Sequence, residues 1–366
     1  MKRCIVFFFY DKDGIVDRYI FHILQDLVQR SERIVFVCNG KLDAKGRRAV
    51  SEYTKDIMVR KNEGMDVWAY KEALSYLGWQ EIYRYDELVL MNFTIFPTLH
   101  SFCEMFDDME RIDTDFWGTT TFFGRNTAVA GQVPDHIQSH FIAVRHPMLS
   151  SYEFKKYWEE MPSIQSYADS VRLHESRFTQ RFEGYGFRSY AYAGAEELRP
   201  LTGCPAFWRQ KYLLQNTKVP LIKRKTFFYP PYDGLVYETA GEAAVAPYDF
   251  LKKSGGYDTD MIWENILRTS PMTDIKNALQ LNHIFPYEEQ GQDRTGQDRT
   301  GQDRTGHYGR SICWCRPFRA FLRTHRTIRR VLERHTSRCR RTYLIAAGRC
   351  RIIREDVIPT AQSLGT

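Results

Sequence analysis

The chain has no long apolar run. Its 366 residues contain no stretch that approaches the roughly 20 consecutive apolar residues of a membrane-spanning helix. The apolar run at 5–10 is also shorter than the core of a secretory signal peptide. These absences predict a cytoplasmic protein with reduced cysteines. Because 43% of the residues are hydrophobic and 14% are aromatic, we expect a globular fold with a packed core.

The eight cysteines lack the close pairing that marks a structural metal site. No Cys-x-x-Cys occurs, and Cys313 and Cys315 form the only tight spacing. This pattern supports neither a zinc site nor a disulfide framework.

The body of the chain lacks the positive charge that is typical of nucleic-acid binding. The net charge is +7, but fourteen Arg, no Lys and three acidic residues after Gly306 give that tail about +11. About −4 is left for the residues before it. The sequence therefore indicates no nucleic-acid partner for the folded part.

A perfect repeat separates the body from this tail. Gly-Gln-Asp-Arg-Thr occurs three times over 291–305 and begins again at Gly306. As protein it is a polar linker at 289–306. As coding sequence, a five-nucleotide unit GGACA gives the same cyclic peptide in every reading frame. Gain or loss of one unit would shift the frame downstream, which predicts a phase-variable gene.

The tail at 307–366 has two interpretations. Its cations are all Arg, it holds half of the cysteines, and it shows no clear helix or strand pattern. It is either a disordered, out-of-frame ending or a basic, partly amphipathic stretch at 318–353 that lies on an anionic membrane surface. The second interpretation implies peripheral association with the inner face of the cytoplasmic membrane.

Strand and helix patterns alternate in the first part of the chain. The apolar runs at 4–10 and 33–38 are typical of strands buried on both faces of a parallel sheet, and 56–60 predicts a third strand. Helical periodicity at 16–28 and 43–53 falls between them. The alternation predicts an α/β fold with a mostly parallel central sheet and right-handed crossovers.

Polar side chains follow the ends of these elements. Asn62 and Gly64 precede a helix for which Asp66 is the expected N-cap, and Asn92 follows the apolar run at 88–91. Open α/β sheets assemble ligand sites at such ends. An ordinary strand-to-helix turn with a capping Asp would also explain residues 62–66 taken alone.

Residues 136–141 are expected to form a strand. Its alternation points His136, Gln138 and His140 to one face and Ser139 to the other. A single histidine is usually a structural hydrogen-bonding residue, but two histidines and a glutamine on one face favour contact with a substrate.

Several motifs occur in order before the repeat. They are NEGMD at 62–66, WAYK at 68–71, YDELVLMN at 85–92, DTDFWG at 113–118, HIQSHF at 136–141, HESRFT at 174–179, VPLIKR at 219–224 and YDTDMI at 257–262. Together they resemble the rhamnan synthesis protein F family of bacterial surface-polysaccharide glycosyltransferases. The resemblance covers about 3–286, nearly all of the chain before the repeat.

The resemblance implies a GT-A-like nucleotide-sugar-binding fold, here placed at 1–200. After it, helical patterns at 205–216 and 249–268 predict a helical appendage at 201–288. The resemblance also implies the reaction. A deoxyhexose, typically L-rhamnose from dTDP-rhamnose, would pass to a lipid-linked or lipopolysaccharide acceptor such as an O-antigen or core glycan.

The resemblance also suggests residues for the site. The catalytic base would be Glu175, in a helical stretch at 166–182, unless this residue is a solvated surface Glu. Asp115, Trp117 and Gly118 would line the sugar or acceptor pocket, because an aromatic ring beside a glycine offers a flat face to a sugar. A buried structural Trp is the alternative.

The expected metal site is incomplete. In the resembling family the strand at 88–91 ends in an acidic motif that holds Mg²⁺ or Mn²⁺. Here Phe93 stands where an Asp is usual, and neither Asn92 nor Thr94 supplies a charge.

Three explanations remain for this departure. Another acid, Asp115 or Asp113, holds the metal; or cations such as Lys223 and Arg224 meet the diphosphate charge; or the enzyme is impaired. The chain is therefore expected to be an inverting glycosyltransferase or, alternatively, a non-catalytic glycan-assembly or nucleotide-binding protein.

Overall fold

The computed structural model of the chain describes residues 1–127, 131–229 and 242–279. The repeat predicted at 289–306, the tail predicted at 307–366 and the last part of the predicted appendage lie outside the described residues. Among the described residues, no helix combines the length and the apolar character needed to cross a membrane.

Short strands and helices alternate along the described residues. The strands are β1 Arg3–Asp11, β2 Arg33–Gly40, β3 Asp56–Arg60, β4 Glu87–Asn92, β5 Ile95–Pro97, β6 Phe116–Gly118, β7 Thr121–Phe122, β8 Arg125–Thr127, β9 Gly131–Val133, β10 His136–Ile137, β11 Phe141–Arg145, β12 Ser189–Ala191 and β13 Leu221–Lys223.

The α-helices are α1 Arg18–Leu27, α2 Ala44–Val50, α3 Met65–Leu77, α4 Trp79–Ile82, α5 Phe102–Met109, α6 His146–Leu149, α7 Tyr152–Glu159, α8 Tyr167–Asp169, α9 Ser176–Gly184, α10 Pro205–Trp208, α11 Gln210–Asn216, α12 Glu242–Lys253, α13 Asp260–Thr269 and α14 Met272–Ala278. A π-helical turn, Ser170–Glu175, joins α8 to α9, and two 3₁₀ turns span Glu196–Leu198 and Arg224–Phe227.

The central sheet confirms the predicted α/β fold. Within the described residues it has the order β12-β6-β11-β4-β1-β2-β3. The pairs β1–β2, β1–β4, β2–β3 and β6–β12 are parallel, and β11 is antiparallel to both β4 and β6. All strands of this sheet except β11 therefore run in one direction.

Burial explains why the first strands are continuously apolar. In β1, Cys4 to Phe9 are all at most 6% exposed, because helices cover both faces of the sheet. Ring contacts tie the strands together, such as the stack of Phe7 on Phe36 with ring centroids 5.7 Å apart. Burying one such side chain stabilises the fold by about 1.5–3 kcal/mol.

Direction of the strands decides which residues can meet. The parallel strands β1, β2, β3, β4 and β6 end on one edge of the sheet, which we call the carboxyl edge, at Asp11, Gly40, Arg60, Asn92 and Gly118. Because β11 is antiparallel, its first residue, Phe141, lies on the same edge and pairs with Met91.

The opposite edge is closed by buried charges. Glu87, which begins β4 and is 0% exposed, accepts hydrogen bonds from Arg3 Nε at 2.6 Å and from Trp117 Nε1 at 2.8 Å. Arg145 Nε lies 3.4 Å from the same carboxylate. A buried carboxylate needs such partners, since an unpaired charge in the interior is costly.

Residues after 200 contribute to the same compact unit, which spans Met1–Leu281. The described part of this segment is mostly helical, but it also supplies β13, which pairs antiparallel with β5. Arg268 of α13 donates hydrogen bonds to Asp11 at the end of β1. The boundary placed at residue 200 stays a prediction.

Three local expectations differ from the structure. The helix expected at 249–268 is two helices, α12 and α13, because Gly255 and Gly256 between them adopt positive φ angles of 72° and 75°. The N-cap of α3 is Gly64, with φ of 69°, whereas Asp66 lies in the first turn. The strand expected at 136–141 divides into β10 and β11 at a turn through Ser139 and His140.

Candidate functional site

The end of β4 joins two other segments at the carboxyl edge. Asn92 Nδ2 donates to Asp66 Oδ2 at 2.9 Å, and the backbone N–H of Asn92 donates to the carbonyl of His140 at 3.1 Å. Asn92 Oδ1 accepts from Thr94 Oγ1 at 2.6 Å. The side chain of Asn92 therefore fixes the start of α3 against the loop that follows β4.

Gly64 allows α3 to begin close to the sheet. Its left-handed conformation suits glycine, and a Cβ atom built there would lie 2.3 Å from Cβ of Trp68. The tight entry places Asp66 in the first turn, where the helix dipole favours a carboxylate. Burial nevertheless raises the pKa of Asp66, and the nearby charge of Glu175 adds to this effect.

Glu175 ends the π-helical turn Ser170–Glu175, a distortion that is common at functional sites. Ser139 Oγ donates a hydrogen bond to Glu175 Oε2, and His136 Nε2 lies 3.6 Å from Glu175 Oε1. Burial by itself would raise the pKa of Glu175, but His136, Lys223 and Ser139 outweigh burial and hold that pKa well below its ordinary value. Glu175 is therefore ionised.

His136 presents one defined nitrogen to Glu175. Its Nδ1 lies 2.8 Å from the carbonyl oxygen of Pro134, which can only accept, so Nδ1 carries a hydrogen. The ring stacks on Phe122 with centroids 5.0 Å apart. Nε2 is therefore the ring nitrogen that faces the carboxylate of Glu175.

His140 is held between two side chains in one tautomer. Lys223 Nζ donates to His140 Nδ1 at 2.8 Å, which leaves Nε2 to donate to Thr119 Oγ1 at 2.7 Å. Burial lowers the pKa of His140 well below its ordinary value, and the charge of Lys223 lowers it further. His140 is therefore neutral and orients the ammonium group of Lys223.

Gln138 is fixed from both ends of its amide. Its Oε1 accepts from Thr120 Oγ1 at 2.9 Å, and its Nε2 lies 3.5 Å from Cys204 Sγ. Gln138 is only 5% exposed, so its main role is to connect the turn after β6 to the start of α10.

Sequence comparison identifies the family. The model described as rhamnan synthesis protein F matches residues 34–297, well over half of the chain. The chain belongs to the rhamnan synthesis protein F family. Since a rhamnan is a polymer of sugar units, membership of this family supports a glycosyltransferase.

One curated relative matches part of this rhamnan synthesis protein F chain. The uncharacterized protein y4gN of Sinorhizobium fredii is 25% identical over 182 residues, which are 49% of this chain and 45% of that protein. The chain thus matches less than half the length of this curated relative.

Three solved structures show a partial likeness. The mannosyltransferase Ktr4p of S. cerevisiae is 9% identical, with 49% of this chain and 63% of that chain covered and a TM-score of 0.28. Core-mannan synthase A of Aspergillus fumigatus, solved in a Mn/GDP form, is 9% identical, with 53% and 73% covered and a TM-score of 0.26. The 4-diphosphocytidyl-2C-methyl-D-erythritol synthase of Anaerococcus prevotii is 12% identical, with 52% and 86% covered and a TM-score of 0.33. These TM-scores are low, so the family assignment rests on the sequence match.

In this member of the rhamnan synthesis protein F family, most of the predicted site residues meet. The carboxyl edge brings together Asp66, Asn92, His136, Gln138, His140 and Glu175. Asn62 lies in the loop after β3 on the same edge, where its Oδ1 accepts from Asn39 Nδ2 at 3.4 Å. Gly64 follows in the same loop.

Asp115 and Trp117 lie elsewhere. Asp115 directly precedes β6, on the edge opposite to Asn92, and its Oδ2 accepts from the backbone N–H of Arg188 at 2.8 Å. Trp117 is 0% exposed and bonded to Glu87. Gly118, the last residue of β6, does lie on the carboxyl edge. A Cβ atom built on it would lie 2.1 Å from Cγ2 of Ile137, so the close packing at this position requires a glycine.

The two cations that the sequence suggested for the diphosphate, Lys223 and Arg224, lie in different places, the first at the site and the second in the core. Lys223 reaches His140, whereas Arg224 is 7% exposed and its guanidinium carbon lies 5.1 Å from the ring centroid of Phe93. Lys225, which was not predicted, has its Nζ 5.0 Å from the ring of Tyr167 and 4.0 Å from that of Tyr229. The consecutive basic residues at 223–225 were the available signal for it.

The described residues do not fit a divalent cation. Among residues 1–127, 131–229 and 242–279, no group of three or more His, Cys, Asp or Glu side chains could hold a metal ion. At the end of β4, Asn92 Oδ1 is already occupied by Thr94, and Phe93 offers no oxygen. Mg²⁺ and Mn²⁺ prefer several oxygen ligands, whereas the carboxylates of Asp66 and Glu175 on this edge already accept hydrogen bonds from Asn92 and Ser139.

Proposed function

We propose that this protein is an inverting glycosyltransferase that moves L-rhamnose, or a similar deoxyhexose, from a nucleotide sugar to a surface-polysaccharide acceptor. The observation that carries the proposal is the placement of an ionised Glu175 at the carboxyl edge, in contact with Ser139 and His136. Family membership supports the glycan substrate class.

The reaction needs one displacement at the anomeric carbon. An acceptor hydroxyl oxygen attacks that carbon while the bond to the diphosphate oxygen breaks, and the electron pair of this bond leaves with the nucleoside diphosphate. Glu175 accepts the hydroxyl proton, as a positioned carboxylate does in general base catalysis. The ring of His136 borders the carboxylate that accepts the proton, with its Nε2 3.6 Å from Glu175 Oε1.

The other carboxylate has a different role. Burial raises the pKa of Asp66, while the pKa of Glu175 is lowered. Two carboxylates whose pKa values are pushed apart commonly divide acid, base and binding roles. We assign Glu175 as the base and Asp66, oriented by Asn92, as a hydrogen-bond partner of a donor hydroxyl. Asn62 and Gly64 would border the nucleotide on the same edge.

The proposal extends to the location of the protein in the cell and to the control of its expression. A lipid-linked or lipopolysaccharide acceptor would bring the protein to the inner face of the cytoplasmic membrane, and the repeat would make its expression phase-variable. Sequencing the repeat in several isolates tests the last point, since an invariant number of units would contradict it.

The test compares two Glu→Gln variants on the same helical segment. With dTDP-rhamnose and a rhamnan-type acceptor, we expect Glu175→Gln to lower kcat by about 100-fold or more, because loss of a general base typically has an effect of this size. Glu183→Gln changes an exposed Glu of α9 and should leave kcat within about twofold of the parent, as surface substitutions usually do.

Two results would contradict the proposal. Equal turnover by Glu175→Gln and Glu183→Gln would remove Glu175 as the base. Absence of both turnover and donor binding in the correctly folded parent protein would favour the non-catalytic alternative, which Phe93 at the usual position of an acid makes reasonable.

A further inference from the structure

The loop after β4 is paired with a basic segment. Lys223, the last residue of β13, pairs with Ile95 of β5, and the backbone N–H of Arg224 donates to the carbonyl of Thr94 at 3.1 Å. Residues 223 and 224 therefore run directly alongside Ile95 and Thr94, the residues that follow Phe93. Arg224 lies against Phe93, the position where the resembling family usually has an acid, and a lysine stands on either side of Arg224 in the sequence.

The middle cation explains why Phe93 fits here. The Arg224 guanidinium lies over the rings of Phe93, Tyr19 and Phe96, at 5.1, 5.6 and 5.8 Å from their centroids. Its Nε donates to Asn265 Oδ1 at 2.9 Å. A carboxylate at position 93 would meet this guanidinium first, and Arg–carboxylate pairs are strong. Phe93 is thus part of a packed cluster around Arg224.

The outer cations are placed to meet an anion. An ammonium group has three N–H donors, and Lys223 Nζ donates one of them to His140 Nδ1. Lys225 lies between the exposed rings of Tyr167 and Tyr229. Burial lowers the pKa of both lysines, while the charge of Glu175 opposes this effect. A bound diphosphate would stabilise both ammonium groups.

We propose that Lys223 and Lys225 bind the diphosphate of the donor in place of a divalent cation, so that donor binding and transfer need no metal. This inference rests on the proposed function. In the transfer step, the electron pair of the broken bond collects on the departing diphosphate oxygen. Positioned ammonium groups stabilise this developing charge, the task that a metal ion performs in many phosphoryl and glycosyl leaving-group sites.

The experiment measures binding of dTDP to the full-length protein by calorimetry, with UDP and GDP as further probes, in EDTA and with added Mn²⁺. We expect Kd to be the same within about twofold in the two conditions. Lys223→Gln should weaken binding by about tenfold or more in EDTA. Lys225→Gln should weaken it less, because Lys225 is held only by ring contacts. Lys223→Arg keeps the charge and should retain most of the affinity.

Lys211→Gln is the matched control, because Lys211 is an exposed lysine of α11. It should bind like the parent. Circular dichroism and the urea midpoint establish that each variant is folded. Loss of binding in EDTA with recovery in Mn²⁺, or unchanged binding by folded Lys223→Gln, would overturn the inference while leaving the proposed function intact. No binding of any of the three nucleotides, with or without Mn²⁺, would overturn both.

Discussion

At the residue scale, His174 shows what burial does beside the proposed base. Its ring lies among Trp158 and Phe178, with centroids 5.4 and 5.5 Å away, and its Nδ1 forms a hydrogen bond of 2.7 Å with the hydroxyl of Tyr157. Burial lowers the pKa of His174 to about 4, although the charge of the adjacent Glu175 opposes the shift. The imidazole is therefore neutral in the folded protein.

This shift predicts a loss of stability in mild acid. Below an unfolded pKa of 6.5 the unfolded chain binds a proton at His174, whereas the folded chain does not until the pH nears 4. The free energy of unfolding should therefore fall as the pH drops through this window, by about 3 kcal/mol from His174 alone. Urea unfolding at several pH values measures the loss.

The comparison of variants isolates His174 from the other histidines. His174→Gln keeps a partner for Tyr157 but cannot titrate, so its free energy of unfolding should depend less on pH between 6.5 and 4 than that of the parent. His22→Gln changes an exposed histidine of α1 and should keep the parental slope. Parallel curves for the parent and His174→Gln would contradict the prediction.

Glu175 illustrates which site residues a sequence can reveal. Its contacts with His136 and Ser139 join positions 39 and 36 residues apart, and Lys223 reaches His140 across 83 residues. Residue type and motif order suggested Glu175 and His136, but only the fold brings them together. The turn through Ser139 lies at this tertiary contact, and strand alternation alone does not predict it.

At the element scale, the strands were the most predictable part of the fold. Strands β1, β2 and β4 are buried on both faces, so each is a continuous apolar run that needs no tertiary information. The break between α12 and α13 was missed, although Gly255 and Gly256 were a visible signal. The position of Asp115 was also missed, since residue type does not say which edge of a sheet a residue occupies.

The start of α3 gives an element-scale prediction. Gly64→Ala should lower the free energy of unfolding by about 2 kcal/mol or more, because it adds a collision with Trp68 to the cost of a left-handed alanine. It should also weaken donor binding, since it moves Asp66. Gly255→Ala has a similar φ of 72° but open space around its Cβ, so it should cost only about 1 kcal/mol.

Urea denaturation of both variants, together with dTDP binding, tests this prediction. The difference between the two alanine variants isolates the contact with Trp68 from backbone strain. Equal destabilisation of the two proteins would show that α3 can shift without cost, and Gly64 would then be unimportant for the site.

At the scale of the whole molecule, Arg268 connects the last described helices to the central sheet. Its two terminal nitrogens donate to Asp11 at 3.0 and 2.7 Å, and one of them also donates to Asp17 at 2.6 Å. Asp11 is only 6% exposed. Burial alone would raise the pKa of Asp11, but Arg268 and two backbone N–H groups lower it below its ordinary value.

Arg268→Met should therefore destabilise the whole unit. Removing Arg268 leaves the carboxylate of Asp11 with its two backbone N–H donors but without its cation, and losing hydrogen bonds of this charged kind typically costs about 1.5–3 kcal/mol. Because Met1–Leu281 forms one compact unit, we expect a single urea transition with a lower midpoint, followed both by tryptophan fluorescence and by far-ultraviolet circular dichroism. Arg172→Met, at an exposed pair with Asp169, should change stability by less than about 0.5 kcal/mol.

The pH dependence of this effect has a definite sign. The pKa of Asp11 is lowered in the folded state from 3.8, so its contribution to stability is present above that value and is lost as the pH falls below it. The difference between the parent and Arg268→Met should therefore be largest near neutral pH and shrink in acid. Two separate transitions in the parent protein would instead show that residues after 200 unfold independently, as an appendage with its own boundary would.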